Sequence, residues 1–202
     1  MSRGDEVAAN LDVVRRRIAA ACAEAGRPDD DVSLVVVTKF FPASDVRLLA
    51  EPGGHRRGEN RHQEAEAKAA ECADLGLRWH FIGGLQSNKA AAVASYADVV
   101  ESVDRARAGR PARTRRTLTG RDVDVLLQVS LDPPSADNRS GAAPADLADL
   151  ARRVEGAGTL RLRGLMAVAP LGRTPTRPSP GSPRSVRPSC ATTRGRPRCR
   201  RG

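Results

Sequence analysis

Aromatic residues are nearly missing from this 202-residue chain: one Trp, one Tyr and three Phe, 2% in all. A core must therefore be assembled from Val, Leu, Ala and Ile, and the length allows a sizeable one in a single domain. No apolar run is long enough to span a bilayer, and the N-terminal Met1-Ser2-Arg3-Gly4-Asp5-Glu6 lacks the apolar segment of a secretion signal. Cysteines are few and scattered. Cys22, Cys72, Cys190 and Cys199 have neither metal-ligand nor redox spacing and read as free thiols in a cytoplasmic protein. His55 and His62 read as surface residues without metal-ligand company. Acidic residues are absent from 171–202, where nine arginines stand, leaving 25 basic residues against 24 acidic ones in the first 170. The net charge of +10 is thus a property of the tail, and the pI near 10.8 does not make the body a nucleic-acid binder.

What the chain does contain is a strong apolar stretch, Leu34-Val35-Val36-Val37-Thr38, followed at once by Lys39 and then by Phe40-Phe41-Pro42. Such a run predicts a strand buried on both faces of a parallel sheet. Pro42 suits the first turn of a following helix. A lysine at the carboxyl end of a buried strand can be desolvated, which lowers its pKa and makes the amine able to form a Schiff base. The same residue could equally end its strand and point to water.

Before this strand, Val7, Leu11, Val14, Ile18, Ala21 and Cys22 recur at steps of three and four, predicting an amphipathic helix over 5–26 that stops at Gly26. A helix is predicted over 43–51. His55–Asn60 stands where a second strand belongs but is too polar for a buried one. The chain then predicts a helix over 61–75, a strand over 77–82, a helix over 86–96 and a strand over 98–103. A basic helix over 104–118 follows, interrupted by Gly109 and Pro111. Val123–Val129 is a strand, 131–141 a loop, 144–154 a helix and 160–168 a strand. Strands alternating with helices define an α/β fold with a parallel sheet. Six units are present before the pattern stops.

From Leu171 onward the composition changes. These 32 residues hold nine Arg, six Pro and four Gly, and Leu171 and Val186 are the only aliphatics larger than Ala. Such a segment cannot offset the entropy of ordering and is expected to be disordered. Its codon-like bias is that of a shifted reading frame in a GC-rich gene. A basic arm touching nucleic acid or anionic lipid is the other reading.

Five stretches, in order, resemble one family: LVVVTKFFP (34–42), GEN with QE (58–60 and 63–64), WHFIGGLQSNK (79–89), SVDR (102–105) and LRGLMAV (162–168). They resemble the pyridoxal phosphate homeostasis proteins, relatives of the barrel domain of alanine racemase and of fold type III. The resemblance implies an incomplete TIM-type (β/α) barrel over 1–170, about six of eight strand–helix units, followed by the tail at 171–202. It implies that Lys39, one of only three lysines beside Lys68 and Lys89, carries pyridoxal 5′-phosphate. It also implies that Asn60, His80 and Met166 lie at the cofactor face. Read from the residues alone, Asn60 is as good a helix N-cap, Met166 as good a core residue and His80 as good a structural strand histidine.

The departures are specific. Arg57 stands before GEN, where the family has an apolar or aromatic residue. The family's later segments, a Gly-Met-Ser strand end and an Arg-x-Gly turn that grip the phosphate, are not matched here. A (β/α)₈ barrel closes with eight strands and builds its phosphate site after strands 7 and 8, so six strands should leave open edges. The function implied is cofactor binding and homeostasis by a carrier without turnover. Apo-enzymes would be recipients and a monomer is expected, with no membrane or nucleic-acid partner. A small racemase-like enzyme, a basic-tail nucleic-acid binder and a non-functional truncated product are the alternatives.

Overall fold

Short strands, most of them apolar, pair here in chain order. The structure, a computed structural model, describes residues 1–50, 54–105, 122–132 and 140–169. The expected basic helix from 106 onward, the middle of the 131–141 loop, and the tail with its disorder and frameshift readings lie outside these residues. Six strands form one sheet in the order of the sequence, each neighbouring pair parallel. They are β1 (Val36–Val37), β2 (Arg56–Glu59), β3 (Arg78–Phe81), β4 (Val99–Val103), β5 (Val123–Val129) and β6 (Leu160–Ala167). The helices are α1 (Arg3–Glu24), α2 (Ala43–Ala50), α3 (His62–Glu71), α4 (Ala90–Tyr96) and α5 (Leu147–Glu155).

Local chemistry sets the ends of these elements. Ser2 Oγ accepts from the Asp5 N–H at 3.1 Å and Asp5 Oδ2 accepts from the Ser2 N–H at 2.8 Å, a reciprocal cap on α1. The Pro42 carbonyl accepts from the N–H groups of Asp45 and Val46, so the proline sits just ahead of α2. Gly76 ends the turn after α3 in the left-handed region, φ 57°. No helix among the described residues is long and apolar enough to cross a membrane.

The sheet has two different faces. Val125 and Leu127 of β5, Val100 and Val103 of β4, Val93 of α4, and Leu150 and Val154 of α5 form one buried cluster between strands and helices. Val46, Cys72, Leu77 and Trp79 form a second around α2 and α3. On the other face a side chain at Gly58 would meet Val35, Val37 and Ile82, which places those residues together on the inner wall. His80 is in register with Gly58, and Met166 with Gln128, so both also face inward. Alternation along β5 supports this for Gln128, because Leu127 and Val129 point the other way.

Two expectations are corrected. His55–Asn60 does contain a strand, β2, and it is buried from Arg57 to Glu59 in spite of its charges. Gly58 keeps the inner wall uncrowded, and Glu59 Oε1 accepts from Lys68 and Thr38. Conversely, the Leu34–Thr38 run is not a strand buried on both faces. Only Val36–Val37 pair, at the edge of the sheet, and Val37 is 42% exposed. With β1 and β6 as the two edges of the described sheet, the inner wall is open, as expected for six strands.

Candidate functional site

All six strands run the same way, so their carboxyl ends form one rim, the usual place for ligands in α/β folds. Lys39 lies on this rim two residues beyond β1 and is half-buried. Asn60 follows β2 directly and is exposed. His80 and Met166 are the penultimate residues of β3 and β6, on the inner wall below the rim. The four residues marked from the sequence thus lie toward the carboxyl end of the strands. Asn60 is not a helix N-cap: that position in α3 belongs to Arg61, with no side-chain cap.

The backbone around Lys39 is unusual. Phe40 has φ 70°, a left-handed conformation that costs a bulky residue about 1–3 kcal/mol and concentrates at functional sites. The Phe40 N–H donates to Glu64 Oε2 at 3.4 Å, and the Arg61 guanidinium lies 5.0 Å from the ring centre. The Lys39 ammonium nitrogen stands 5.7 Å from the same ring. The first turn of α3 therefore holds the exposed aromatic beside the lysine by cation–π contact and a charge-assisted hydrogen bond.

His80 Nδ1 is 2.6 Å from Glu101 Oε1 of β4, while its buried Nε2 has no protein partner. A buried ring nitrogen without a partner has an unmet hydrogen-bonding capacity that a ligand on the inner wall could satisfy. At the opposite, amino-terminal end of the strands, Asp124 accepts from Arg78, Arg161 and Arg163 at 2.6 to 3.0 Å. Burial pushes this carboxyl up, but Arg163, Arg161 and Arg78 together hold it below the usual value. No group of His, Cys, Asp and Glu among the described residues is arranged to hold a metal.

Two residues escaped the sequence reading. Lys68 is buried on α3 and donates to the Thr38 carbonyl at 2.7 Å and to Glu59 Oε1 at 2.9 Å. Its spacing from Ala65 and Cys72, three and four residues, marks the buried face of α3 and could have revealed it. His62, read as a surface residue, is largely covered and stacks on Tyr96 with ring centres 5.8 Å apart. Burial raises the Tyr96 phenol well above its ordinary value, helped by Glu66 and Glu59.

No family model matches the sequence. A comparison with curated proteins does find relatives. The chain is 42% identical over 162 residues to the pyridoxal phosphate homeostasis protein of Pseudomonas aeruginosa, covering 80% of this chain and 70% of that one. The chain belongs to the pyridoxal phosphate homeostasis protein family. The Escherichia coli member is 36% identical over 167 residues and is likewise covered over 70% of its length. Among solved structures, PipY of Synechococcus elongatus with pyridoxal phosphate bound is 39% identical, with a TM-score of 0.65 over 80% of this chain and 73% of PipY. Alanine racemase from Streptomyces lavendulae, at 23% identity and a TM-score of 0.59, shares the fold. The six parallel strands with the described helices are thus an incomplete (β/α) barrel, and the chain spans about 70% of the family members it matches.

Proposed function

We propose that this chain binds pyridoxal 5′-phosphate at the carboxyl rim of its sheet through Lys39, as a carrier in cofactor homeostasis without turnover. The observation that carries this reading is Lys39 itself: a half-buried amine on the rim, next to a strained aromatic and above an inner wall with an unsatisfied His80 nitrogen. When bound, pyridoxal phosphate supplies an aldehyde that condenses with an amine and a ring that spreads charge.

The chain's residues divide the remaining work. Lys39 presents the amine, and His80, fixed by Glu101, offers its free ring nitrogen from the inner wall. Met166, half-buried beside Gln128, gives an adaptable apolar surface for a flat ring. Asn60 adds an amide at the rim. Lys68 does not compete, because its nitrogen is buried and committed to Glu59 and the Thr38 carbonyl. Two-base racemisation needs an acid–base group on each face of the substrate carbon, and the reading assigns the chain no such opposed pair. Buried, unpaired Cys22 and Cys72 suit a reducing cytoplasm. We read the chain as a monomer that passes the cofactor to apo-enzymes.

Titration of the full chain with pyridoxal phosphate, followed by the cofactor's absorbance, tests the reading against Lys39→Ala. The parent should saturate with a spectral change that Lys39→Ala lacks. Equal spectral responses in the two proteins would overturn it.

A further inference from the structure

Thr38, the residue immediately before Lys39, is held at every polar group it has. Its N–H donates to the Gly58 carbonyl at 3.0 Å, and its hydroxyl donates to Glu59 Oε1 at 2.6 Å. Its carbonyl accepts from the Phe41 N–H at 3.1 Å and from Lys68 Nζ at 2.7 Å. Thr38 and Glu59 are each 1% exposed and Lys68 is 7% exposed, so this is a polar cluster inside the layer between sheet and helices. Glu59 Oε1 takes both donors, and Oε2 is buried without a partner.

A buried ion pair is a weak source of stability, since removing two charges from water offsets most of their attraction. Geometry is the better account of this one. β1 has only two ladder residues and pairs within the described sheet on one side alone. Such a strand holds its own end loosely, yet Lys39 hangs from that end. The carboxylate of β2 and the ammonium of α3 supply what the ladder does not, gripping Thr38 through its side chain and its carbonyl.

We propose that Glu59 and Lys68 are positioning residues for Lys39. They fix the Thr38–Lys39 peptide, so that the Lys39 amine is held at the rim in the orientation that meets an aldehyde. This role rests on Lys39 being the point of cofactor attachment. The chemistry it serves is balanced: the amine adds to the aldehyde carbon, the carbonyl oxygen leaves as water, and a C=N bond remains. Borohydride then delivers hydride to that bond and fixes it as a stable C–N bond.

The test is the rate at which borohydride traps pyridoxal 5′-phosphate on Lys39 in the full chain, read by peptide mapping across pH. The variants are Thr38→Ser, Thr38→Val and the double variant Glu59→Met with Lys68→Met. Replacing both members of a buried pair by apolar residues of similar length is compatible with folding, and circular dichroism with urea midpoints checks it. Thr38→Ser, which keeps the hydroxyl, should label Lys39 at the parent rate. Thr38→Val should label more slowly than Thr38→Ser, and the folded double variant roughly tenfold more slowly or worse, with an altered pH profile. A folded double variant that labels at the parent rate and pH profile overturns the proposal. If that variant does not fold, Thr38→Val labelling as fast as Thr38→Ser overturns it instead. Failure of the attachment reading would look different, because the parent itself would then carry no adduct at Lys39.

Discussion

Arg57 is the residue most at odds with its surroundings, and replacing it with methionine is expected to stabilise the protein. Its side chain is 0% exposed between β2 and the helices. The guanidinium makes only long hydrogen bonds to backbone carbonyls, at 3.2 Å to Arg56 and 3.4 Å to Val46, and Nε is unsatisfied. No carboxylate pairs with it among the described residues. Burial accordingly pushes its pKa down, against a lesser opposing contribution from Cys72. A desolvated charge costs several kcal/mol even after relaxation. Against this, the two hydrogen bonds to the charged group offset about 1.5–3 kcal/mol each at best, and less at these lengths. A methionine of slightly smaller volume would add about 1 kcal/mol of packing loss. The balance favours Arg57→Met by about 1–3 kcal/mol, a rise in Tm of about 2–4 °C per kcal/mol. Urea unfolding followed by Trp79 fluorescence reports on the same cluster, since Trp79 is the chain's one tryptophan and is buried there. A midpoint lowered by the equivalent of more than about 1 kcal/mol would refute the reasoning.

Two further outcomes follow from the geometry. A Cβ at Gly83 would sit 2.0 Å from the Asn60 carbonyl oxygen, whereas Gly84 has nothing within 4 Å. Gly83→Ala should therefore cost about 1–3 kcal/mol or more in urea unfolding and Gly84→Ala less than about 0.5; equal costs would contradict the close approach of the β2 and β3 ends. Asp124 has a folded-state pKa held below its ordinary value of 3.8, so its contribution to stability is present above that value and lost as pH falls through the folded one. The parent should lose stability more steeply than Asp124→Asn as the pH falls below about 4, and parallel curves would count against the three-arginine cluster.

The parts of the fold legible in the sequence are those where one residue type decides. Val123–Val129 is read with the bounds the structure gives, because a run apolar but for Asp124 and Gln128 leaves little choice. The helix expected over 86–96 begins only at Ala90, as Gln86–Lys89 form a turn that alanine content does not reveal. β2 was missed for a physical reason. Whether Glu59 can be buried depends on Lys68 and Thr38, which are distant in sequence, and a local window cannot see them. The same holds at the site. Lys39 could be singled out as a candidate from an apolar run ending in lysine together with the family resemblance, but the contacts on its neighbour Thr38 could not, since they come from two other elements. The over-reading of 34–38 as fully buried came from treating apolar composition as burial. In an open barrel the inner wall stays partly exposed, and Val37 shows it.

The central claim is that Lys39 is the residue to which pyridoxal 5′-phosphate attaches. Borohydride trapping of the full chain at saturating cofactor, with every lysine mapped by mass spectrometry, tests it most directly. The account predicts a pyridoxyl adduct on Lys39, with Lys68 unlabelled in its buried ion pair and Lys89 at most lightly marked. Equal labelling of Lys39, Lys68 and Lys89, or none at all, would contradict it.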